Sequence, residues 1–476
     1  MLIVSLTGDA VDLDTGRQPY IPQQLRAENL AALMFVDHVY IDPSPTAEAI
    51  LGKVKPDIFV IGREHERSTA PAFRAERAVV ERYGGRIIFS SGELVFSSAE
   101  LIERMPRDDR ARSHRLNLLT QRHEITARGL DDVMQRFRNM HVLVVGDVVI
   151  DQYVFCDTLG VASESPMMTL AERDRRSYVG GAAIVARHLA GLGAHAFLLT
   201  AGGSDERSRM VKDVLSAEDV ELHMIESRPS MVEKTRFVAD ETKLFKVDHG
   251  QRLPLDSVAE RRAAQLLEQQ AKVADAVIFC DFGYGMVTGG LLARILPTLR
   301  QNVSTLTADV SGGQAKMLSF EHVDLLCPTE RELRATLNDY ESGLSAVAWE
   351  VMHRTQARHL FVTLEKRGMI VFERRSQDRA SPEWSGRLIS EQLPSFSSYA
   401  VDRLGCGDAL LATATLALAA GSSLIEAAYL GNAAAAIEIA MLGNLPIDAD
   451  RLKEWLGTRH ELSRTTSQES MALTTS

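Results

Sequence analysis

VDRLGCGDALLATATLALAAG, residues 401–421, is the stretch on which the fold reading turns. Gly405 and Gly407 permit a close-fitting turn, and Asp408 stands where that turn enters a helix. The small residues that follow let the helix pack tightly beneath whatever the turn holds. Amides from Gly405, Cys406 and Gly407, together with the helix N-terminus, would cradle developing phosphate charge. Asp408 can then accept a proton from an attacking hydroxyl, so the catalytic candidates are Asp408, Gly405, Cys406 and Gly407. The same Asp408 would serve equally as a plain helix cap.

Working outward, strands and helical segments alternate from residue 140 to 457. Continuous apolar runs such as HVLVV (141–145), AVIFCD (276–281), STLTAD (304–309), VDLLCP (323–328) and HLFVTL (359–364) predict a mainly parallel sheet covered on both faces. The 476 residues, 45% apolar and 25% charged, suit a multidomain globular chain. A net charge of -11 argues against nucleic acid or anionic lipid as a partner. The four dispersed cysteines suit a reducing, cytoplasmic setting. The alanine-rich runs 409–420 and 433–442 fall short of the roughly 20 residues that cross a bilayer, so no membrane insertion is expected.

Further motifs sit at strand ends. VGGAAIVARHLAGLG (179–193) opens a helix with Gly180 and Gly181, which reads either as a substrate floor or as a close-packed turn. HVLVVGDVVIDQY (141–153) offers Asp147, an Asx-turn candidate, and Asp151, the better ligand for sugar hydroxyls. CDFGYGMVTGG (280–290), TADVSGG (307–313) and CPTERE (327–332) place Asp281, Asp309 and Glu332 where they could organise Mg²⁺ around nucleotide phosphates, or simply form turns and a helix surface. No GxxxxGK[ST] loop, HExxH or compact His/Cys cluster is present, and His249 and His322 read as surface residues.

GDVVIDQY, VGGAAIVARHLAGLG, KTRFV (234–238), KLFKVDHG (243–250), CDFGYG, CPTERE and DRLGCGD occur in the order found in the ribokinase-like, PfkB-type carbohydrate kinases. Residues 140–457 most resemble the kinase module of bacterial ADP-heptose synthesis proteins, which phosphorylates heptose 7-phosphate at its anomeric oxygen. The resemblance implies a three-layer α/β sandwich with a small β lid. It implies an anion hole at Gly405 to Gly407 with Asp408 as base, and acceptor contacts from Asp151, Gly180, Gly181, Lys234 and Arg236. It also implies ATP held near Asn432, Ala433 and Asp309, and Mg²⁺ near Glu332. Departures fall at Ile184, where the family has Asn, at Tyr284 and Ser311 for Lys, at Thr329 for Asn, and at Leu404 for Thr. Thr363-Leu364-Glu365 lacks the usual Arg-Ser pair. These losses weaken sugar-phosphate recognition, so a changed acceptor, a slow kinase and a catalytically weak or inactive nucleotide-binding regulatory or assembly protein all remain open.

The first 105 residues alternate strands LIVSLTG (2–8), HVYI (38–41), DIFVIG (57–62) and RIIFS (86–90) with helical segments 26–35 and 73–83. LIVSLTGD, RAENLAALMFVDHVYI, KPDIFVIGREHE and FSSAELI (96–102) resemble the later part of a cytidylyltransferase-like, Rossmann-type nucleotidyltransferase. That family's first strand and HxGH motif do not precede Met1, and Arg63, Ser97 and Ser98 do not replace them, which implies a structural or dimer-forming remnant. An upstream in-frame HxGH segment would restore nucleotidyl transfer. Residues 106–139 are expected to be a linker and lead-in helix, and residues 458–476 a polar tail. A homodimer is expected.

Overall fold

The computed structural model describes the chain except residues 10–22, 34–35, 63–64, 66–67, 69, 90–106, 240–241, 312–315, 375–387, 398–399 and 464–476. Arg63, Ser97, Ser98 and most of the expected tail lie outside the described residues. Two units separate by their internal contacts, Met1–Arg110 and Ala111–Ser476.

In the first unit, strand β1 (Ile3–Thr7) pairs in parallel with β2 (His38–Asp42), and β3 (Ile58–Ile61) with β4 (Arg86–Phe89). Parallel neighbours require crossovers, and the helices Gln23–Ala31, Glu48–Val54 and Pro71–Arg82 lie between these strands in the chain. Phe73 and Val80 from the third helix, with Leu51 from the second, are buried.

The second unit begins earlier than a linker would allow. Residues 107–122 form a helix and Ala127–Gln135 another, capped by Thr126, whose hydroxyl accepts from the Gly129 amide at 3.0 Å. Leu116, Leu119, Ile125 and Leu130 belong to the main hydrophobic core of this unit. The charge density of 103–126 hides a helix because only a few of its positions need to be apolar to dock it.

Strand β5 (His141–Gly146) is central. It is followed by the long antiparallel pair β6 (Val148–Val161) and β7 (Met168–Gly181), then β8 (His195–Gly202), β9 (Glu221–Glu226), β10 (Val232–Ala239) and β11 (Thr242–His249). After these come β12 (Ala276–Asp281), β13 (Thr305–Val310), β14 (Leu325–Leu326), β15 (His359–Thr363), β16 (Met369–Glu373) and β17 (Ile389–Leu393). One sheet has nine strands in the order β17-β16-β15-β14-β13-β12-β5-β8-β9, parallel from β15 to β9, and a second has four in the order β11-β10-β6-β7. The four-stranded sheet is the lid. The large sheet carries one apolar core on each face, so the unit is a three-layer α/β sandwich.

The sheet grows in one direction through β8 and β9 and in the other through β12 to β15. The crevice beyond the carboxyl ends of β5 and β12 is therefore the topological switch point, where ligands of such sheets bind. Helix Cys406–Ala419 packs into one core with every residue from Ala409 to Ala417 buried. Its small side chains let a neighbouring helix come close: a Cβ added at Gly431 would lie 2.9 Å from the Leu410 carbonyl. No helix among the described residues is long and apolar enough to cross a membrane.

Candidate active site

The turn 402–405 feeds helix Cys406–Ala419 through Gly405, which sits in the left-handed region at φ 86°. A side chain is excluded there twice over, because a Cβ would also stand 2.2 Å from Glu438 Oε1 and 2.8 Å from Asn444 Oδ1. Gly407 differs. It is exposed, and a Cβ there would meet nothing within 4 Å, so the first turn of the helix opens onto free space.

Asp408 lies in that first turn, partly buried, and its carboxylate makes no hydrogen bond among the described residues. The cap position is Gly405, so the helix-cap alternative for Asp408 does not hold. Burial pushes its pKa well above the ordinary carboxylate range; the carboxylates of Asp309, Glu438 and Asp151 push the same way, and Lys234 opposes them. An acid group surrounded in this way is poised to hold a proton.

On the acceptor side, Asp151 of β6 is buried. It accepts from Arg236 Nη1 at 2.5 Å and from Asn444 Nδ2 at 2.8 Å. Burial raises its pKa against the pull of Arg236, Lys234 and Asn444. Lys234 and Arg236 arrive because β10 pairs in parallel with β6, which sets Lys234 opposite Asp151 in register. Lys234 is partly buried, makes no ion pair among the described residues, and has its ammonium 5.4 Å from the Tyr284 ring and 5.9 Å from that of Phe282. Burial lowers its pKa, with Asp151 opposing.

The glycine pair has a steric explanation. A Cβ at Gly180 would stand 2.2 Å from Asn444 Nδ2 and 2.4 Å from Asp151 Oδ2, so the bare backbone makes room for that hydrogen bond. Asp147 is fully occupied: it accepts from the amides of Tyr284 and Met286 at 3.0 Å each and from Arg228 Nη2 at 3.1 Å. It holds the loop after β12.

On the opposite side, Asp281 accepts from the Gly283 amide at 2.9 Å, and burial pushes its pKa up to about 6. Asp309 is pushed up to about 7, first by burial and then by the Glu332 carboxylate. Glu332 accepts from Ser311 Oγ at 2.9 Å and closes a capping box with Thr329 at the start of helix Glu330–Leu337. Thr329, a departure from the family pattern, thus keeps a structural hydroxyl. Asn432 donates to the Pro394 carbonyl at 2.9 Å, and Ala433 is wholly enclosed in the core, so the contacts seen at these two positions are internal ones.

Residues with no local signature complete the site. His188 Nε2 and Glu438 Oε2 are 2.8 Å apart and wholly buried. The Ile447 amide donates to His188 Nδ1 at 3.1 Å, which places the imidazole proton on Nε2, facing Glu438. Asn444 then links this level to Asp151. The partners lie hundreds of residues apart, and no spacing rule finds them. Asp402 could have been singled out, since it stands inside DRLGCGD.

Residues 139–445 match the pfkB family of carbohydrate kinases. The chain belongs to this family. Among pfkB relatives, it is 27% identical over 322 residues to the bifunctional protein HldE of Pelobacter propionicus, covering 66% of this chain and 63% of that one. With HldE of Geobacter metallireducens it shares 24% over 339 residues, 70% of this chain and 66% of that one. The chain thus spans under two thirds of the length of these relatives. Phosphofructokinase-2 from Escherichia coli superposes with a TM-score of 0.55 at 18% identity, covering 67% of this chain and 99% of that one. Ribokinase of Arabidopsis thaliana, complexed with ribose and ATP, gives 0.52 at 16%, covering 67% and 99%. The second unit is accordingly a ribokinase-like pfkB domain, an ATP-dependent sugar kinase by family.

Proposed function

We propose that this pfkB unit transfers the γ-phosphoryl group of ATP to the anomeric hydroxyl of a heptose 7-phosphate. The observation that carries the reading is Asp408, a carboxylate without a hydrogen-bond partner among the described residues, in the first helical turn beside the open face of Gly407. The acceptor hydroxyl gives its proton to Asp408 as its oxygen bonds to the γ-phosphorus and the bridging oxygen leaves with ADP. Amides of Gly405, Cys406 and Gly407 meet the developing charge. Asp151 orients acceptor hydroxyls. Lys234, a cation without a carboxylate partner among the described residues, suits the phosphate of a phosphorylated sugar, and Arg236 adds a second charge. The relatives named HldE support a heptose.

Burial and then the charge of Glu332 push the Asp309 carboxyl upward, so a cation near the two would be favoured. Among the described residues no group of three or more His, Cys, Asp or Glu is arranged to hold a metal, so Mg²⁺ fits as an ion carried by the nucleotide and held through water by these two. Bound there, it would neutralise phosphate charge. Adenine-side packing near Asn432 and Ala433, a homodimer, and a nucleotidyltransferase-like remnant in the first unit complete the reading.

The test is ADP release from Mg²⁺-ATP with heptoses, hexoses and pentoses, free and phosphorylated. Asp408→Asn should cut turnover by roughly 10²–10⁴-fold. A variant that keeps most of its turnover removes Asp408 from the base role, and a free sugar outperforming every sugar phosphate rejects the acceptor class.

A further inference from the structure

The charged acceptor-side residues lie well inside lid strands, Asp151 on β6 and Lys234 and Arg236 on β10, whereas the phosphate cradle belongs to the body of the sandwich. One buried carboxylate joins the two. Asp402 Oδ2 accepts from the Tyr153 hydroxyl at 2.5 Å and from the Gly443 amide at 3.4 Å. Its Oδ1 accepts from Lys243 Nζ at 2.5 Å and from the Leu404 amide at 3.1 Å. Tyr153 and Lys243 are lid residues, from β6 and β11; Leu404 immediately precedes the cradle glycine. The Lys243 ammonium also lies 5.4 Å from the centre of the Tyr153 ring, so cation, phenol and carboxylate form one closed group.

The geometry points to Lys243 as a positioning residue that latches the lid to the phosphate cradle through Asp402. The Asp402 side chain is fully buried, while that of Lys243 is 46% exposed. A carboxylate so placed needs a countercharge, and the lid supplies it only when β11 lies against the turn. Burial pushes the Asp402 pKa up, but the hydrogen bonds from Lys243 and Tyr153 bring it below the ordinary value, in accord with an ionised group held by this pair. The Leu404 amide shares its acceptor oxygen with Lys243, so the path of the chain into Gly405 depends on the lid being down. Acceptor binding beneath the lid and formation of the cradle become one event. This coupling rests on the kinase reading for its meaning, but the latch itself is measurable without substrate.

Hydrogen exchange of the full chain, read at peptides covering 402–410, tests it. Lys243→Met should exchange about tenfold faster there than the native protein, with Lys243→Arg close to native. Lys246→Met removes another β11 ammonium, one that pairs with Asp248 on its own strand, and should leave the segment unchanged. Native exchange in Lys243→Met, or an equal rise in Lys246→Met, overturns the latch. Where turnover is measured, Lys243→Met should lower kcat about tenfold with KM for ATP within about twofold, and an unchanged kcat likewise overturns it. Absence of phosphoryl transfer by the native protein would count against the kinase reading alone, since the exchange result is obtained without it.

Discussion

Asn444 donates its side-chain amide to Asp151 Oδ2 at 2.8 Å across 293 residues of sequence, while its own Oδ1, beside Gly405, is buried with no hydrogen-bond partner among the described residues. One amide therefore touches both halves of the site. Asn444→Leu removes a donor from a buried carboxylate, which costs about 1–3 kcal/mol. The expected outcome is a raised KM for the acceptor with a smaller change in KM for ATP, checked by steady-state kinetics with each substrate varied in turn.

The two cradle glycines should respond differently to alanine. At Gly405 a methyl meets Glu438 Oε1 at 2.2 Å and the backbone is left-handed, so Gly405→Ala should lower stability by roughly 2–4 kcal/mol as well as activity. At Gly407 nothing lies within 4 Å. Gly407→Ala should keep its melting temperature within a few degrees and lose turnover, because its methyl enters the space that phosphate would fill. Thermal unfolding beside kcat separates the two.

The pKa of Asp408 sets an acid limb. A base must be deprotonated, so kcat/KM should fall as pH drops through a value well above the ordinary ~3.9 of aspartate. Lys234 opposes the upward shift, so Lys234→Met should move the limb to higher pH. For stability the sign is the reverse of a salt-bridged aspartate: the folded state binds the proton more tightly than the unfolded one. The native protein therefore loses stability as pH rises from the unfolded pKa toward the folded one. Asp408→Asn should stabilise the chain more at pH 8 than at pH 4, read by urea titration.

Arg228 and Asp147 form a buried ion pair at the end of β5, with the Arg228 side chain 2% exposed and that of Asp147 0%. Removing one partner strands the other, at a cost of about 3–5 kcal/mol. Asp147→Ala also frees the amides of Tyr284 and Met286. Chemical denaturation should register the full loss in Arg228→Met and at least as much in Asp147→Ala.

Contiguity decides what a reader of the sequence can find. The turn at Gly405 and the helix that follows it are legible because they occupy consecutive residues, and the apolar runs at 141–145, 276–281 and 359–364 lie within or overlap observed strands because buried parallel strands tolerate few polar positions. Strand β14 shrank to Leu325–Leu326 within the expected VDLLCP run, which ends in proline. His188, Glu438 and Asn444 escaped notice since a lone buried polar residue on an apolar helix or in a loop acquires meaning only from its partner. Asp147 and Asp151 part in sequence as turn residue and ligand candidate, and the loop after β12 and strand β10 give the physical difference: Asp147 accepts from that loop's amides, while Asp151 faces Lys234 in register.

The enclosed helix Cys406–Ala419 has a bearing on how the protein is made. It packs against β12 and β13, so a ribosome synthesises about 125 residues beyond the end of β12 before the piece that covers those strands exists. At about 5–20 residues per second, Ala276, Ile278 and Cys280 wait several seconds or longer without that cover. The second unit thus carries bare apolar surface during translation, and a chain that stalls before residue 406 would be released with β12 and β13 open on one side rather than as a smaller folded domain.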